Sequence, residues 1–226
     1  TEFQKSGCER VAVLDTNSLA IPLAVFGSSW AGIPFSPLNY RLTGNELEAL
    51  AERIAPSYLV TDRERMETLD GLPGATLVSR DDFLARSREG STREGDWSMD
   101  GEEIAILLFT SGTTGAPKAA VIRQKHLVSY VLGSVEFMGA EEEDASLVCV
   151  PPYHIAGMAA IASSIYSGRR VVQLSSFSPE AWIETARKER VTNAFVVPTM
   201  LVRIIDALEK EGSADFPALR AISYGG

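Results

Sequence analysis

The chain of 226 residues is 45% hydrophobic and 23% charged, a balance that excludes intrinsic disorder and supplies enough apolar surface for one large core or two small ones. Its net charge of -9 excludes a general affinity for nucleic-acid backbone or anionic lipid heads, yet leaves room for a local phosphate site built from backbone N–H groups. No apolar run is long enough to span a bilayer and no signal-peptide pattern opens the chain, so the expected compartment is the cytoplasm.

In chain order, Arg10–Leu14 reads as a buried strand. Asn17 and Ser18 are candidate caps for a helix that runs through Trp30 and stops near Gly32, with Pro22 tolerated close to its start. Ile33-Pro34-Phe35 reads as a second short strand closed by Pro37. Thr43 and Glu46 form a capping-box pattern before a helix that carries Leu47, Leu50, Ala51 and Ile54 on one face. Strands are expected at Ser57–Val60 and Ala75–Val78. Residues 86–101 are polar, contain Gly and Ser, and lack any period; they read as a linker between a lobe at 1–85 and a lobe at 102–226.

Beyond the linker, strands are expected at Ile104–Phe109, Leu147–Val150, Arg170–Leu174, Ala194–Val197 and Leu219–Ser223. Helices are expected at Lys125–Met138, Ile155–Tyr166, Pro179–Arg190 and Met200–Lys210. Continuous apolar strands alternating with helices define an α/β protein with mainly parallel sheets covered by helices. Cys8 and Cys149 form no C-x-x-C pair and are expected as reduced packing thiols. The acidic runs Asp81-Asp82 and Glu141-Glu142-Glu143-Asp144 lack the spacing of a metal loop and are expected as solvated faces. No metal ligand is assigned.

The strongest chemical signal is Thr110-Ser111-Gly112-Thr113-Thr114-Gly115-Ala116-Pro117-Lys118, at the end of a buried strand. Ligands of open α/β sheets bind outside such carboxyl ends. Gly112 and Gly115 allow close backbone approach, the hydroxyls of Thr110, Ser111, Thr113 and Thr114 add donors, and Lys118 adds a positive charge: the composition of a phosphate cradle. A Walker-type P-loop is excluded. Gly112 and Gly115 are too close together, Lys118 does not follow a glycine, and Ala119 stands where a Mg-binding hydroxyl belongs.

This loop resembles the phosphate-binding signature of the adenylate-forming superfamily, which includes acyl-CoA synthetases, 4-coumarate-CoA ligases, firefly luciferase and peptide-synthetase adenylation domains. The match runs from Thr110 to Lys118 and departs at Ala119, where the family usually has Gly. Four further segments resemble the family in the same order: Trp30–Asn39, Val150–Gly157 (VPPYHIAG), Val197–Leu201 (VPTML), and Leu219–Gly226.

The resemblance implies the incomplete N-terminal domain of an adenylate-forming enzyme. It implies that Thr110, Ser111, Gly112, Thr113, Thr114, Gly115 and Lys118 hold the phosphates of ATP, with Lys118 and Thr113 acting on the departing pyrophosphate. It implies that Gly225 and Gly226 flank the adenine, with Tyr224 either packed beside it or simply buried at its strand end. His154, Tyr153, Gly157 and Thr199 are then candidates for the acid-binding side, with His154 positioning or gating the substrate, since a carboxylate needs no base at neutral pH. His126 is expected as a surface residue. The Mg-binding Glu, the ribose-binding Asp and a C-terminal lysine of the family would lie beyond Gly226, where the Gly225-Gly226 pair is expected to lead on.

The implied activity is ATP-dependent activation of a carboxylic acid, fatty or aromatic, to acyl-AMP, followed by thioester formation with coenzyme A. The cofactors would be ATP, Mg²⁺ and coenzyme A, the partners small molecules without nucleic acid or integral membrane segment, and self-association is left open. Loading of a carrier protein, or nucleotide binding without catalysis, are the alternatives.

Overall fold

The computed structural model describes residues 1–69, 71–89, 97–110 and 118–225. Contacts divide the chain into two compact units. The first comprises Thr1–Asp15 and Leu19–Leu127; the second comprises Thr16–Ser18 and Val128–Gly226. The division therefore falls between Leu127 and Val128, and not at the polar segment 86–101.

In the first unit, α1 (Glu2–Lys5) precedes β1 (Arg10–Leu14), α2 (Ala20–Ala31), β2 (Phe35–Pro37), α3 (Gly44–Ile54), β3 (Ser57–Thr61), α4 (Arg63–Thr68), β4 (Ala75–Ser79), α5 (Arg80–Glu89), β5 (Ile104–Thr110) and β6 (Lys118–Arg123). The strands form one sheet of order β4-β3-β1-β2-β5-β6. All neighbours are parallel except the last pair, in which β6 runs antiparallel to β5. This explains why 86–101 is no boundary: Arg86–Glu89 close α5, and β5 pairs with β2 in the same sheet.

Helix α3 buries Leu47, Leu50, Ala51 and Ile54, the stripe expected from the sequence, and packs three of them with Ala12, Leu14, Leu38 and Leu59. Thr43 is its N-cap, but the Thr43 side chain makes no capping hydrogen bond. Helix α2 stops at Gly32, whose φ of 70° is the left-handed turn that glycine adopts without a Cβ penalty. At its other end the N-cap is Leu19, so neither Asn17 nor Ser18 caps it.

The second unit contains β7 (Ala145–Val148), α7 (Ile155–Tyr166), β8 (Arg170–Gln173), α8 (Pro179–Lys188), β9 (Asn193–Val196), α9 (Pro198–Glu211) and β10 (Ala221–Tyr224). Helix α6 (Gln124–Ser134) carries the chain across the division. The sheet is fully parallel, in the order β10-β9-β7-β8. From β7 the chain moves one way to β8, then returns past β7 to β9. Right-handed crossovers then place α7 on one face and α8 with α9 on the other. The core agrees: Trp182, Ile183 and Ala186 of α8 and Ile204 of α9 cluster with Leu147, Cys149, Ala194 and Val196, without α7. The fold is α/β, with mainly parallel sheets covered by helices.

Candidate functional site

In the first unit the loop of interest is the connection of a hairpin. Thr110 lies directly opposite Lys118 in the antiparallel β5–β6 register, so the two ends of the segment are paired. The sequence reading missed β6, because Lys118–Arg123 carries the Lys-Ala-Ala start of an exposed edge rather than an apolar run. The loop still leaves the carboxyl end of β5, the edge at which parallel sheets bind ligands. Lys118 is exposed there. Ser111, Gly112, Thr113, Thr114, Gly115, Ala116 and Pro117 lie outside the described residues, as does Gly226.

The same edge holds a feature that sequence reasoning passed over. Asp15, immediately after β1, is only 3% exposed and accepts from Nη1 of Arg80 at 3.0 and 2.9 Å. Thr61, at the end of β3, donates its hydroxyl to the Leu14 carbonyl at 2.8 Å. The strand order reverses between β1 and β3, so this crevice is a topological switch point, the usual ligand position in an open α/β sheet. Here the Asp15–Arg80 pair and the Thr61 hydroxyl stand at it. An aspartate directly after an apolar strand was the available signal.

In the second unit the switch point lies between β7 and β9, and four of the candidate residues gather at this carboxyl edge. Tyr153 and His154 follow β7, Thr199 follows β9, and Gly225 follows β10 and donates to the Val196 carbonyl at 3.3 Å. His154 is the exposed N-cap residue of α7 and makes no side-chain capping bond. Its ring centroid is 4.6 Å from that of Tyr153, tilted by 46°. Its N–H donates to Pro151 O at 3.1 Å, and its carbonyl accepts from Gly157 N at 3.0 Å, so the segment is a tight turn stacked on the helix start. Gly157 is buried in that first turn: a Cβ there would stand 3.2 Å from Pro151 O and 3.5 Å from Val150 O. Its glycine identity thus serves backbone packing beneath the turn.

Thr199 is exposed at the start of α9, whose first residue is Pro198. Tyr224 is 67% exposed, so it is not the buried strand-end tyrosine that an apolar strand would give: among the described residues β10 is an edge strand. Cys149, one residue beyond β7, is buried, and burial pushes its thiol pKa up to about 12. His126 is exposed, with its Nδ1 accepting from Arg123 N at 3.2 Å. The acidic run does not lie wholly in solvent. Glu141–Glu143 are exposed, but Asp144 is buried 3.0 Å from Nη1 of Arg220, since it stands just before β7 and Arg220 just before β10. Among the described residues no three His, Cys, Asp or Glu side chains gather as a metal-binding group, and no helix is long and apolar enough to cross a membrane.

A mainly parallel sheet and a fully parallel one, each with polar residues at its carboxyl edge, define an α/β scaffold of the open-sheet type. Residues 5–226 match the family of AMP-binding enzymes, and the chain belongs to that family. It is 30% identical over 220 residues to a feruloyl-CoA synthase of an Amycolatopsis species, a match that covers 96% of this chain and 44% of that protein. Its fold superposes on the N-terminal domain of FACL13 from Mycobacterium tuberculosis with a TM-score of 0.84 at 22% identity, over 99% of this chain and 58% of the other. It superposes on the o-succinylbenzoate CoA synthetase of Bacillus subtilis, solved with its acyl-adenylate intermediate, with a TM-score of 0.78 at 25% identity, over 96% and 44% of the two chains. The chain spans a little under half the length of the curated relatives it matches.

Proposed function

We propose that this chain supplies the phosphate-binding and acid-binding portion of an AMP-forming acid–thiol ligase. In the proposed reaction a carboxylate attacks the α-phosphorus of ATP, the bond to the β-phosphate bridging oxygen breaks, and pyrophosphate leaves. The acyl-AMP then passes its acyl group to the thiol of coenzyme A, releasing AMP. The carrying observation is the Thr110–Lys118 sequence, held between paired residues at the carboxyl end of β5 in a chain of the AMP-binding family.

The roles follow from charge. The N–H groups and hydroxyls of Thr110, Ser111, Gly112, Thr113, Thr114 and Gly115 would hold the β- and γ-phosphates, and Lys118 would neutralise charge that grows on the leaving pyrophosphate. Mg²⁺ would arrive with the nucleotide, as is usual for an ion bound through substrate phosphates. Gly225 and Gly226 would flank the adenine. Tyr153, His154 and Thr199 would line the acid side, with Gly157 letting the turn seat closely on α7. The apolar residues around His154 (Ile155, Ala156, Met158 and Ala159) favour an aromatic or fatty acid. The feruloyl- and succinylbenzoate-CoA enzymes named above support the aromatic choice. Cytoplasmic location accords with small-molecule substrates of this kind.

The test is acid-dependent exchange of labelled pyrophosphate into ATP by the complete gene product, over a panel of aromatic and fatty acids, with Lys118→Ala alongside. The expected result is exchange with one acid class and a loss of roughly 100-fold in the variant. Folded protein that exchanges with no acid refutes the proposal.

A further inference from the structure

Asn17 is 5% exposed and groups with the second unit, although the residues on either side of Thr16–Ser18 belong to the first. Its side-chain amide nitrogen donates to Val150 O at 3.1 Å and to Leu174 O at 3.2 Å. Both acceptors lie just past the ends of paired strands. The β7–β8 ladder closes with Val148↔Gln173, and Leu174 N still donates across to Val148 O at 2.9 Å. After that rung the two chains diverge. The carbonyls of Val150 and Leu174 then accept from one side-chain amide nitrogen, which continues the bridging beyond the last backbone rung. Val150 opens the Val150-Pro151-Pro152-Tyr153-His154 turn, and its carbonyl is also one of the backbone atoms on which Gly157 closes.

We infer that Asn17 is a positioning residue for the acid-binding turn: by fixing Val150 against Leu174 it sets where Tyr153 and His154 stand at the switch point. The inference rests on the proposed function for what the turn does, but its mechanical half stands on the hydrogen bonds alone. A buried acceptor deprived of its donor is costly, and loss of this amide deprives the buried Val150 carbonyl and the half-buried Leu174 carbonyl together. The carboxylate of Asn17→Asp has the same shape and no donor, so it would face two carbonyl oxygens with negative charge. Among the described residues the buried Asn17 side-chain oxygen has no hydrogen-bond partner, whereas its nitrogen has two.

The experiment compares wild type, Asn17→Ala and Asn17→Asp as the complete gene product, each first checked for cooperative thermal unfolding. Hydrogen–deuterium exchange of the peptide covering 149–157 reads the turn itself. It is expected to quicken about tenfold or more in both variants, while peptides from β9 and β1 stay protected. Pyrophosphate exchange then reads the consequence: KM for the acid is expected to rise tenfold or more, with KM for ATP within about twofold of wild type. Unchanged exchange at 149–157 overturns the inference. So does a loosened turn with an unaltered acid KM, or a uniform loss across both substrates, because either makes Asn17 a brace without a positioning role. If wild type turns over no acid, the ligase reading fails, and the deuterium measurement still decides whether Asn17 holds the turn.

Discussion

Replacing Arg80 by alanine should cost the first unit about 2–4 kcal/mol. The Asp15 carboxylate is 3% exposed, with both oxygens held by Arg80 Nη1 at 3.0 and 2.9 Å. Breaking a buried ion pair by removing one partner typically costs about 3–5 kcal/mol, because a charge stays behind in a medium that solvates it poorly. The Arg80 side chain is 33% exposed, so water entering the vacated space recovers part of that, and the lower value applies. Asp15→Asn keeps the shape and leaves a guanidinium that can turn to water, so about 1–2 kcal/mol is expected. The double variant should then be less damaged than the two singles added together, by about 1–2 kcal/mol. Urea unfolding of the four proteins followed by circular dichroism supplies the cycle. Singles that add within about 0.5 kcal/mol, or an Arg80→Ala cost below about 0.5 kcal/mol, would refute the view that these two charges depend on each other.

Gly157→Ala gains up to about 1 kcal/mol of helix propensity but sets a methyl 3.2 Å from Pro151 O, in a Pro-Pro segment with little freedom to retreat. A net loss of about 1 kcal/mol in thermal unfolding is expected, and a gain in stability would show that the turn yields. Trp182→Ala empties the centre of the second unit, where the ring is fully buried and meets Phe216 edge-on at 5.8 Å, so about 3–5 kcal/mol should be lost. Amide exchange should rise in β7 and β9 and stay unchanged in β1 and β3. Burial raises the Cys149 thiol pKa above its unfolded value of about 8.5, so the thiol favours the fold below about pH 8.5 and that contribution is lost as pH climbs toward about 12. At pH 8 a thiol-exchange reagent should therefore label the half-buried Cys8 well before Cys149, and equal rates would contradict the burial.

The strands were legible wherever an apolar run of four or five residues ended in a polar or turn residue, as at Arg10–Leu14 and Ser57–Thr61. The α3 and α7 helices were legible through a buried stripe and an apolar 12-residue run. Three short or charged helices escaped, the first being the four-residue α1. Helix α4 has no buried residue to mark a stripe, and α5 buries only Phe83 among charges. Strand β6 escaped because an exposed edge strand shows no alternation worth reading, and with it went the fact that the Thr110–Lys118 loop closes a hairpin. The chemistry of that loop was nonetheless readable from residue types alone. Asn17 was read by its local propensity, as a helix cap, whereas its partners are 133 and 157 positions away; no local pattern carries that information.

The grouping of Thr16–Ser18 with the second unit, between stretches that belong to the first, has a practical consequence for dissecting the molecule. No single cut separates the two units. A fragment beginning at Val128 would omit the amide that donates to Val150 O and Leu174 O, and it would sever α6, which runs from Gln124 to Ser134. Its complement would carry a loop whose polar groups had been shaped for neighbours it no longer possessed. Halves expressed separately should accordingly be poor folders, and should regain order when mixed.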